Sequence, residues 1–394
     1  MRVVVNQLAA MGRRTGVGHY TAELLRGLRR QTPPGTITAF PGPLVRRARQ
    51  GWTWLRQRRS RPGAGGAGAS AGPSLRGLAR AVLTRYFRAL CRLHRFDVYH
   101  EPNYLPLPCD VPTVATVHDL SVLLHPEWHP ADRVAAFERD FREGLGRCTH
   151  LLTDTECVRR EIIQHLGFPA ARVTCAHVGI RRRLRPLVED EVRRGRQALG
   201  LPAQYLLFVG TVEPRKNVLR LLRVYCSLPE EVRSRWPLVL VGGWGWNAGD
   251  VAEYLHTEAR HRGVRHLGYV DEADLPVLYN AARALVYPSL YEGFGLPPVE
   301  MLACGGAVLA STAGALAETV GGQAHLIPAA DEDGWRAAML RVVTEDEWWQ
   351  SLRQGAVEAA RPYTWENCAT ATLRVYRKVC DKSQDQGPPK PLAA

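Results

Sequence analysis

The sequence predicts an α/β protein built from two doubly wound parallel sheets facing each other across a cleft. Two observations predict this. Short β-branched and aliphatic runs, such as RVVVNQL (2–8) and YLLFVG (205–210), alternate with segments whose leucines recur at helical spacing, such as YTAELLRGLRR (20–30) and NVLRLLRVYCSL (217–228). The alternation also runs twice, once before residue 181 and again after residue 204, and βαβα order implies parallel strands joined by crossover helices. A chain of 394 residues is long enough for two such cores.

In the first series the strand 2–8 leads to a helix with Leu24 and Leu28 on one face. Between them, TGVGHY (15–20) places Gly16 and Gly18 at a strand-to-helix junction, which suits either a close phosphate approach or a plain helix-start turn. Strands are predicted at DVYHEP (97–102), VPTVATVHDL (111–120), HLLTDT (150–155) and VTCAHVGI (173–180), with a helix at CVRREIIQHLG (157–167). The polar stretch RRRLRPLVEDEVRRG (181–195) reads as a linker. The second series continues with strands LVLVGG (238–243), HLGYV (266–270), LVYPSL (285–290), AVLAS (307–311) and HLIP (325–328). Its helices are EADLPVLYNAA (272–282), PPVEMLACG (297–305) and DGWRAAMLRVVT (333–344). The expected division is 1–187 and 188–362, then a helix over 363–380 that crosses back to the first domain and a disordered tail from 381.

Composition narrows the function classes. With 45% hydrophobic and 23% charged residues the chain is ordinary for a globular protein. No apolar run reaches the ~18 residues of a membrane-spanning helix. The apolar start is too short for a secretion signal. Nine cysteines without a C-x-x-C pair read as reduced thiols of a cytoplasmic protein, not as a disulfide or zinc framework. The net charge of +14 is concentrated: residues 41–100 hold thirteen arginines and one acid, Asp97. Such a local patch does not suit a nucleic-acid-binding surface. Here RRARQGWTWLRQRRSR (46–61) carries Trp52, Trp54 and Leu55, and RPGAGGAGASAGP (61–73) has linker composition, so 41–75 is read as a flexible basic insertion. Leu75, Leu78, Val82, Phe87 and Leu90 mark a basic amphipathic helix. Residues 46–93 therefore suit peripheral contact with an anionic membrane. The alternative is a solvated loop followed by a core helix with an arginine-rich outer face.

The chemistry is concentrated in YEGFGLPPVE (291–300), where Glu292 and Glu300 flank a strand-to-helix turn containing Gly293, Phe294, Gly295 and Leu296. Free N–H groups at a helix start form an anion site, and glycine lets a phosphate come close. Carboxylates accept hydrogen bonds from sugar hydroxyls. A phosphate cradle beside two hydroxyl acceptors points to a sugar nucleotide. EPRKN (213–217) adds Arg215 and Lys216 at another strand-to-helix turn, two cations suited to a diphosphate. Their alternative is a solvent-facing turn paired with Glu213. Glu300 has a second reading as an acid favoured by a helix N-terminus. His118 ends an apolar strand at its carboxyl end and is either a cleft residue or a structural histidine. Asp331, Glu332 and Asp333 read as a helix cap, so no metal site is assigned.

FVGTVEPRKNVLRLL (208–222) together with YPSLYEGFGLPPVEMLACGGAVLAS (287–311) resembles the retaining glycosyltransferase family 4, of the GT-B fold. TGVGHYTAELL, VHDL, TDTECVRREI and GYVDEADL fall in matching order. The resemblance implies that Arg215 and Lys216 bind the donor diphosphate, that Glu292 and His118 contact the donor sugar, and that Glu300 holds the ribose. It further implies backbone contacts from Gly293, Phe294, Gly295, Leu296 and Gly210, a nucleobase pocket lined by Tyr269 and Val270, and Gly16 and Gly18 near phosphate or acceptor. Departures from the family pattern at Gly306–Ala307, Val178–Gly179, Glu156 and Gly321–Gly322 touch no residue given chemistry, but loosen any inference about the donor.

The implied reaction is metal-independent, cofactor-free transfer of a hexose from a nucleoside diphosphate sugar to a hydroxyl of a glycan or lipid-linked glycan, with retained configuration. GDP-mannose is the first donor expected, then a UDP-hexose, in surface polysaccharide synthesis at the inner face of the cell membrane. Three rivals stand beside it: a sugar-nucleotide epimerase, a glycan phosphorylase, and a non-catalytic protein of membrane surfaces or polyanions. A phosphorylase usually needs a pyridoxal lysine, and besides Lys216 only Lys378, Lys382 and Lys390 are available.

Overall fold

The computed structural model describes residues 1–11, 16–42 and 73–383. The Trp52–Trp54 arginine cluster, nearly all of the glycine-rich run and residues 384–394 lie outside these. Two six-stranded sheets form. The first takes β1 (Val3–Asn6), β2 (Ile37–Phe40), β3 (Val98–Glu101), β4 (Thr113–Val117), β5 (His150–Thr153) and β6 (Val173–Cys175) in the order β2-β1-β3-β4-β5-β6. The second takes β7 (Leu206–Val209), β8 (Leu238–Val241), β9 (Val264–His266), β10 (Ala284–Tyr287), β11 (Ala307–Ser311) and β12 (His325–Ile327) in the order β12-β11-β10-β7-β8-β9. Every pairing is parallel. Most of these strands are apolar on both faces because helices cover both, as parallel sheets require.

The strand order reverses between β1 and β3 in the first sheet and between β7 and β10 in the second. At such switch points the crossover helices diverge to opposite faces and leave a crevice beyond the carboxyl ends of the strands. Residues that end these four strands therefore line the cleft.

The helix Trp365–Ser383 lies along the first helix, Gly16–Arg30. Contact is close at Gly27, where a Cβ would stand 3.0 Å from the Trp365 carbonyl oxygen. Tyr376 Oη lies 2.5 Å from His100 Nδ1 at the middle of β3, and Lys378 donates to the Ala171 carbonyl at 2.9 Å. The helix Trp365–Ser383 is thus built into the first domain.

Several elements differ from the sequence reading. The stretch 181–195 is not wholly irregular, since a helix runs over Glu189–Ala198, started by acids in its first turn. Strand β9 ends at His266, so Gly268, Tyr269 and Val270 form the loop beyond it. Strand β2 has no counterpart in the reading; four residues at a sheet edge give too short a pattern. The basic helix spans Pro73–His94, and its Val82, expected in the core stripe, is 60% exposed while Phe87 is fully buried. The C-terminal helix continues through Ser383, into the tail expected to be disordered.

Candidate active site

At the second switch point the β7 loop turns through Pro214–Lys216 as a short 3-10 segment, and Asn217 takes a left-handed conformation (φ 56°) before the helix Val218–Cys226. Asn217 Nδ2 donates to the carbonyls of Pro288 and Ala329, and Leu290 N–H donates to the Arg215 carbonyl at 2.7 Å. These bonds fasten the β7 loop to the β10 loop. Glu292 is thereby fixed between two cations. Lys216 Nζ donates to Glu292 Oε1 at 2.6 Å and to Tyr287 Oη at 2.7 Å; Arg215 donates from Nη1 to Glu292 Oε2 at 2.8 Å and from Nε to Glu213 Oε1 at 2.6 Å.

Glu292 and Lys216 are buried. Burial alone would raise the Glu292 carboxyl, but Lys216 and Arg215 outweigh it and hold the pKa down to about 2. Burial and the neighbouring Arg215 lower the Lys216 ammonium, with Glu292 opposing. Arg215 is raised: burial opposes its charge, but Glu292 and Glu213 more than compensate. Among the described contacts, Arg215 Nη2 and a third Lys216 proton are left for an anion.

Glycine is required twice in the following loop. Gly295 has φ 87° at the start of the helix Leu296–Ala303, where a Cβ would strike Leu316 at 2.4 Å. At Gly293 a Cβ would lie 2.0 Å from the His118 carbonyl oxygen, so this loop closes on the first domain. Thr155 Oγ1 donates to the Gly293 carbonyl at 2.9 Å. Phe294 turns its ring into the core against Tyr363 and leaves only backbone toward the cleft. A second interdomain bond forms where Glu318 accepts from the N–H groups of Glu156 and Cys157, both at 2.8 Å, at the start of the helix Glu156–Leu166. That places an anion on a helix N-terminus.

Other predicted residues are placed differently. Glu300 is buried, but its oxygens accept from Arg181 and, at 2.8 Å, from Tyr279. Arg181 was missed because it stands in the polar stretch read as linker. His118 has both ring nitrogens engaged within the first domain, with Asp154 and the Pro102 carbonyl. Gly18 packs on the Ala9 carbonyl, where a Cβ would be 2.5 Å away, which gives it a reason within the first domain; Gly16 is exposed. Gly210 follows β7, where a Cβ would lie 3.8 Å from Lys216 Cε. Tyr269 is 52% exposed and Val270 half-buried in the loop after β9. Asp331 caps its helix by accepting from Gly334 N–H at 2.9 Å. Cys175, His177 and Glu318 bring ligand-type atoms within 4.8 Å of one another. The Glu318 oxygens are already used by backbone N–H groups, and His177 Nδ1 bonds the Asp154 carbonyl, so this group serves the domain contact.

Residues 14–183 match the family described as Glycosyltransferase Family 4, and residues 191–361 match Glycosyl transferases group 1. O-antigen chain mannosyltransferase B of Escherichia coli is 38% identical over 282 residues, covering 71% of this chain and 74% of that protein. The chain is a family 4 glycosyltransferase. The glycosyltransferase is also 27% identical over 300 residues to the serotype-specific mannosyltransferase WbdA of Escherichia coli, of which it spans only 37%. In fold it superimposes on sucrose-phosphate synthase from Thermosynechococcus elongatus with a TM-score of 0.72, at 20% identity, over 97% of this chain and 100% of the other. WaaG, a glycosyltransferase of lipopolysaccharide biosynthesis, gives a TM-score of 0.68 at 16% identity over 98% and 100% of the two chains. The two-sheet architecture is the GT-B fold.

Proposed function

We propose that this glycosyltransferase moves a hexose, mannose in the first instance, from a nucleoside diphosphate sugar to a hydroxyl of a glycan or lipid-linked glycan in surface polysaccharide synthesis. The observation that carries this reading is the buried Arg215–Glu292–Lys216 triad at the second switch point. Cleavage of the anomeric bond builds negative charge on the departing diphosphate. The unused N–H groups of Arg215 and Lys216 are oriented in advance by Glu292 and Glu213, so they stabilise that charge without reorganising. Glu292, kept ionised, accepts from donor-sugar hydroxyls at its remaining lone pairs. Glu300 binds the ribose once Arg181 yields an oxygen. Mannose and the polysaccharide setting are favoured by likeness to the O-antigen mannosyltransferases.

Attack on the same face of the sugar, with a phosphate oxygen taking the acceptor proton, gives retention and needs no metal. A thermal-shift panel of GDP-, UDP- and ADP-sugars tests the donor, because a ligand at 100 times its Kd stabilises by about 2.7 kcal/mol. GDP-mannose is expected to give the largest shift, and a flat response to all three nucleotides rejects the reading.

The membrane surface is the second partner proposed. Val82, Tyr86 and Leu93 are exposed and, at spacings of four and seven, share one face of the helix Pro73–His94. Exposed Arg85, Arg88 and Arg92 run beside them, while Phe87 and Cys91 hold the opposite face in the core. An apolar stripe edged by arginines fits an anionic bilayer. No described helix is long and apolar enough to cross one. Cosedimentation with phosphatidylglycerol vesicles, and its loss in V82D/L93D, is the expected result; binding that is equal in the double variant argues against this face.

A further inference from the structure

We propose that Asp154 is a positioning residue of the transfer reaction: it locks His118 as a doubly protonated ring between two cleft loops, so that the His118 carbonyl is a fixed wall for the donor loop at Gly293. The inference rests on the glycosyltransferase reading above and adds a residue to which that reading gives no part.

His118 follows β4 and Asp154 follows β5, so the topology brings together two residues 36 apart in sequence. His118 Nδ1 lies 2.7 Å from Asp154 Oδ2, and Nε2 lies 2.9 Å from the Pro102 carbonyl oxygen. A carbonyl oxygen can only accept, so Nε2 carries a proton; a carboxylate also only accepts, so Nδ1 carries the other. A ring protonated at both nitrogens has no lone pair with which to receive the acceptor's proton. The ring acts through its place, edge-on to Tyr20 with centroids 4.6 Å apart.

The surroundings give that place a purpose. Gly293 of the donor loop is so near the His118 carbonyl oxygen and the Asp119 side chain that a Cβ would clash with both. Thr155, the neighbour of Asp154, donates to the carbonyl of the same Gly293. One ion pair thus ties together the two loops that seat one backbone segment of the other domain. Asp154 is 4% exposed, and among the described residues its second oxygen has no hydrogen-bond partner, so little besides His118 repays its burial.

Four groups of the first domain face the ring: Asp154 from the β5 loop, Asp119 next in the chain, His100 from β3 and Tyr20 from the first helix; the second domain brings the backbone of Gly293. Burial works against the imidazolium, but Asp154 and the Pro102 carbonyl outweigh it and raise the His118 pKa. Burial raises the Asp154 carboxyl as well, with His118 opposing. The proton shared by the pair is lost only as pH rises beyond the ordinary histidine range. Turnover should fall on that alkaline side.

The test has two readouts on the full chain. In the ¹⁵N-histidine-labelled wild type at neutral pH, both His118 nitrogens should resonate as protonated, assigned by their absence in H118N; a neutral His118 tautomer overturns the proposal, whatever the variants do. In D154N the alkaline limb of the kcat profile should move to lower pH and kcat should drop ~10- to 100-fold, as for a misplaced wall in a preorganised site, with donor KM little changed. A D154N enzyme with the wild-type rate and pH profile also overturns it. If the wild type transfers from none of the GDP-, UDP- or ADP-sugars, the reading of the reaction fails, while the protonation of His118 is decided by its spectrum alone.

Discussion

Two buried glutamates, one at each switch point, sit in the same topological position and end in opposite electrostatic states. Glu292 lies past β10 and is gripped by Lys216 and Arg215, which hold its pKa at about 2. Glu101 ends β3 and accepts from Asn6 Nδ2 at 2.6 Å, Tyr99 Oη at 2.7 Å and the Asn103 N–H at 3.2 Å, all of them neutral donors. Burial dominates there, and the Glu101 pKa rises to about 7. The second sheet surrounds the glutamate at its mouth with cations that keep it ionised; the first surrounds Glu101 with neutral donors, so that it can take or release a proton near pH 7. A crevice at a switch point is a property of the fold, whereas its chemistry belongs to the side chains that line it.

The largest effect expected from breaking this contrast is at the mouth of the second sheet. Lys216→Ala leaves Glu292 with one cation and removes a diphosphate contact, so turnover should fall ~10²- to 10³-fold. Nucleotide release from GDP-mannose measures it, and a variant within a few-fold of wild type would show that the triad serves folding alone.

Next come the two pH dependences, which should have opposite signs. Glu292 is depressed, so its contribution is present above its unfolded pKa of about 4.5 and disappears as pH falls toward 2. Glu101 is raised, so between about 4.5 and 7 the unfolded chain ionises first and stability declines as pH rises. At 1.36 kcal/mol per pKa unit each amounts to about 3 kcal/mol. Denaturant melts from pH 4 to 8 should therefore find a flatter alkaline decline in Glu101→Gln than in wild type. An identical slope in the two proteins removes Glu101 as its source.

The smallest effect sharpens the comparison from outside the mouths. Glu318→Ala deletes the two N–H···O bonds that join the domains at a helix N-terminus, an interaction worth ~1 kcal/mol. A modest increase in radius of gyration by small-angle scattering is expected, with kcat within a few-fold of wild type; an unchanged radius means that the remaining interdomain contacts, at Gly293, between Tyr291 and Glu161 and between Trp246 and Trp128, keep the cleft closed.

The two mouths also differed in how far they could be read. That of the second sheet is written in two short contiguous stretches, 213–217 and 287–300, because each strand-to-helix turn delivers several functional groups at once. The other is spread over Asn6, Glu101, His118 and Asp154, each a single polar residue after an apolar run. None of these stands out without knowing which strands are neighbours. Arg181 and Glu318 were hidden for the same reason, since their partners lie 119 and 162 residues away.

The chain's local pattern determined the alternating elements, the two parallel sheets and the residues of the phosphate-binding turns, since periodicity and turn chemistry act over a few residues. Tertiary structure alone decided that Glu300 is shared with Arg181, that His118 is held by Asp154, and that Gly293 seats on the opposite domain. Charge states and close contacts depend on distance in space, and the strand order that sets those distances is a property of the assembled sheets.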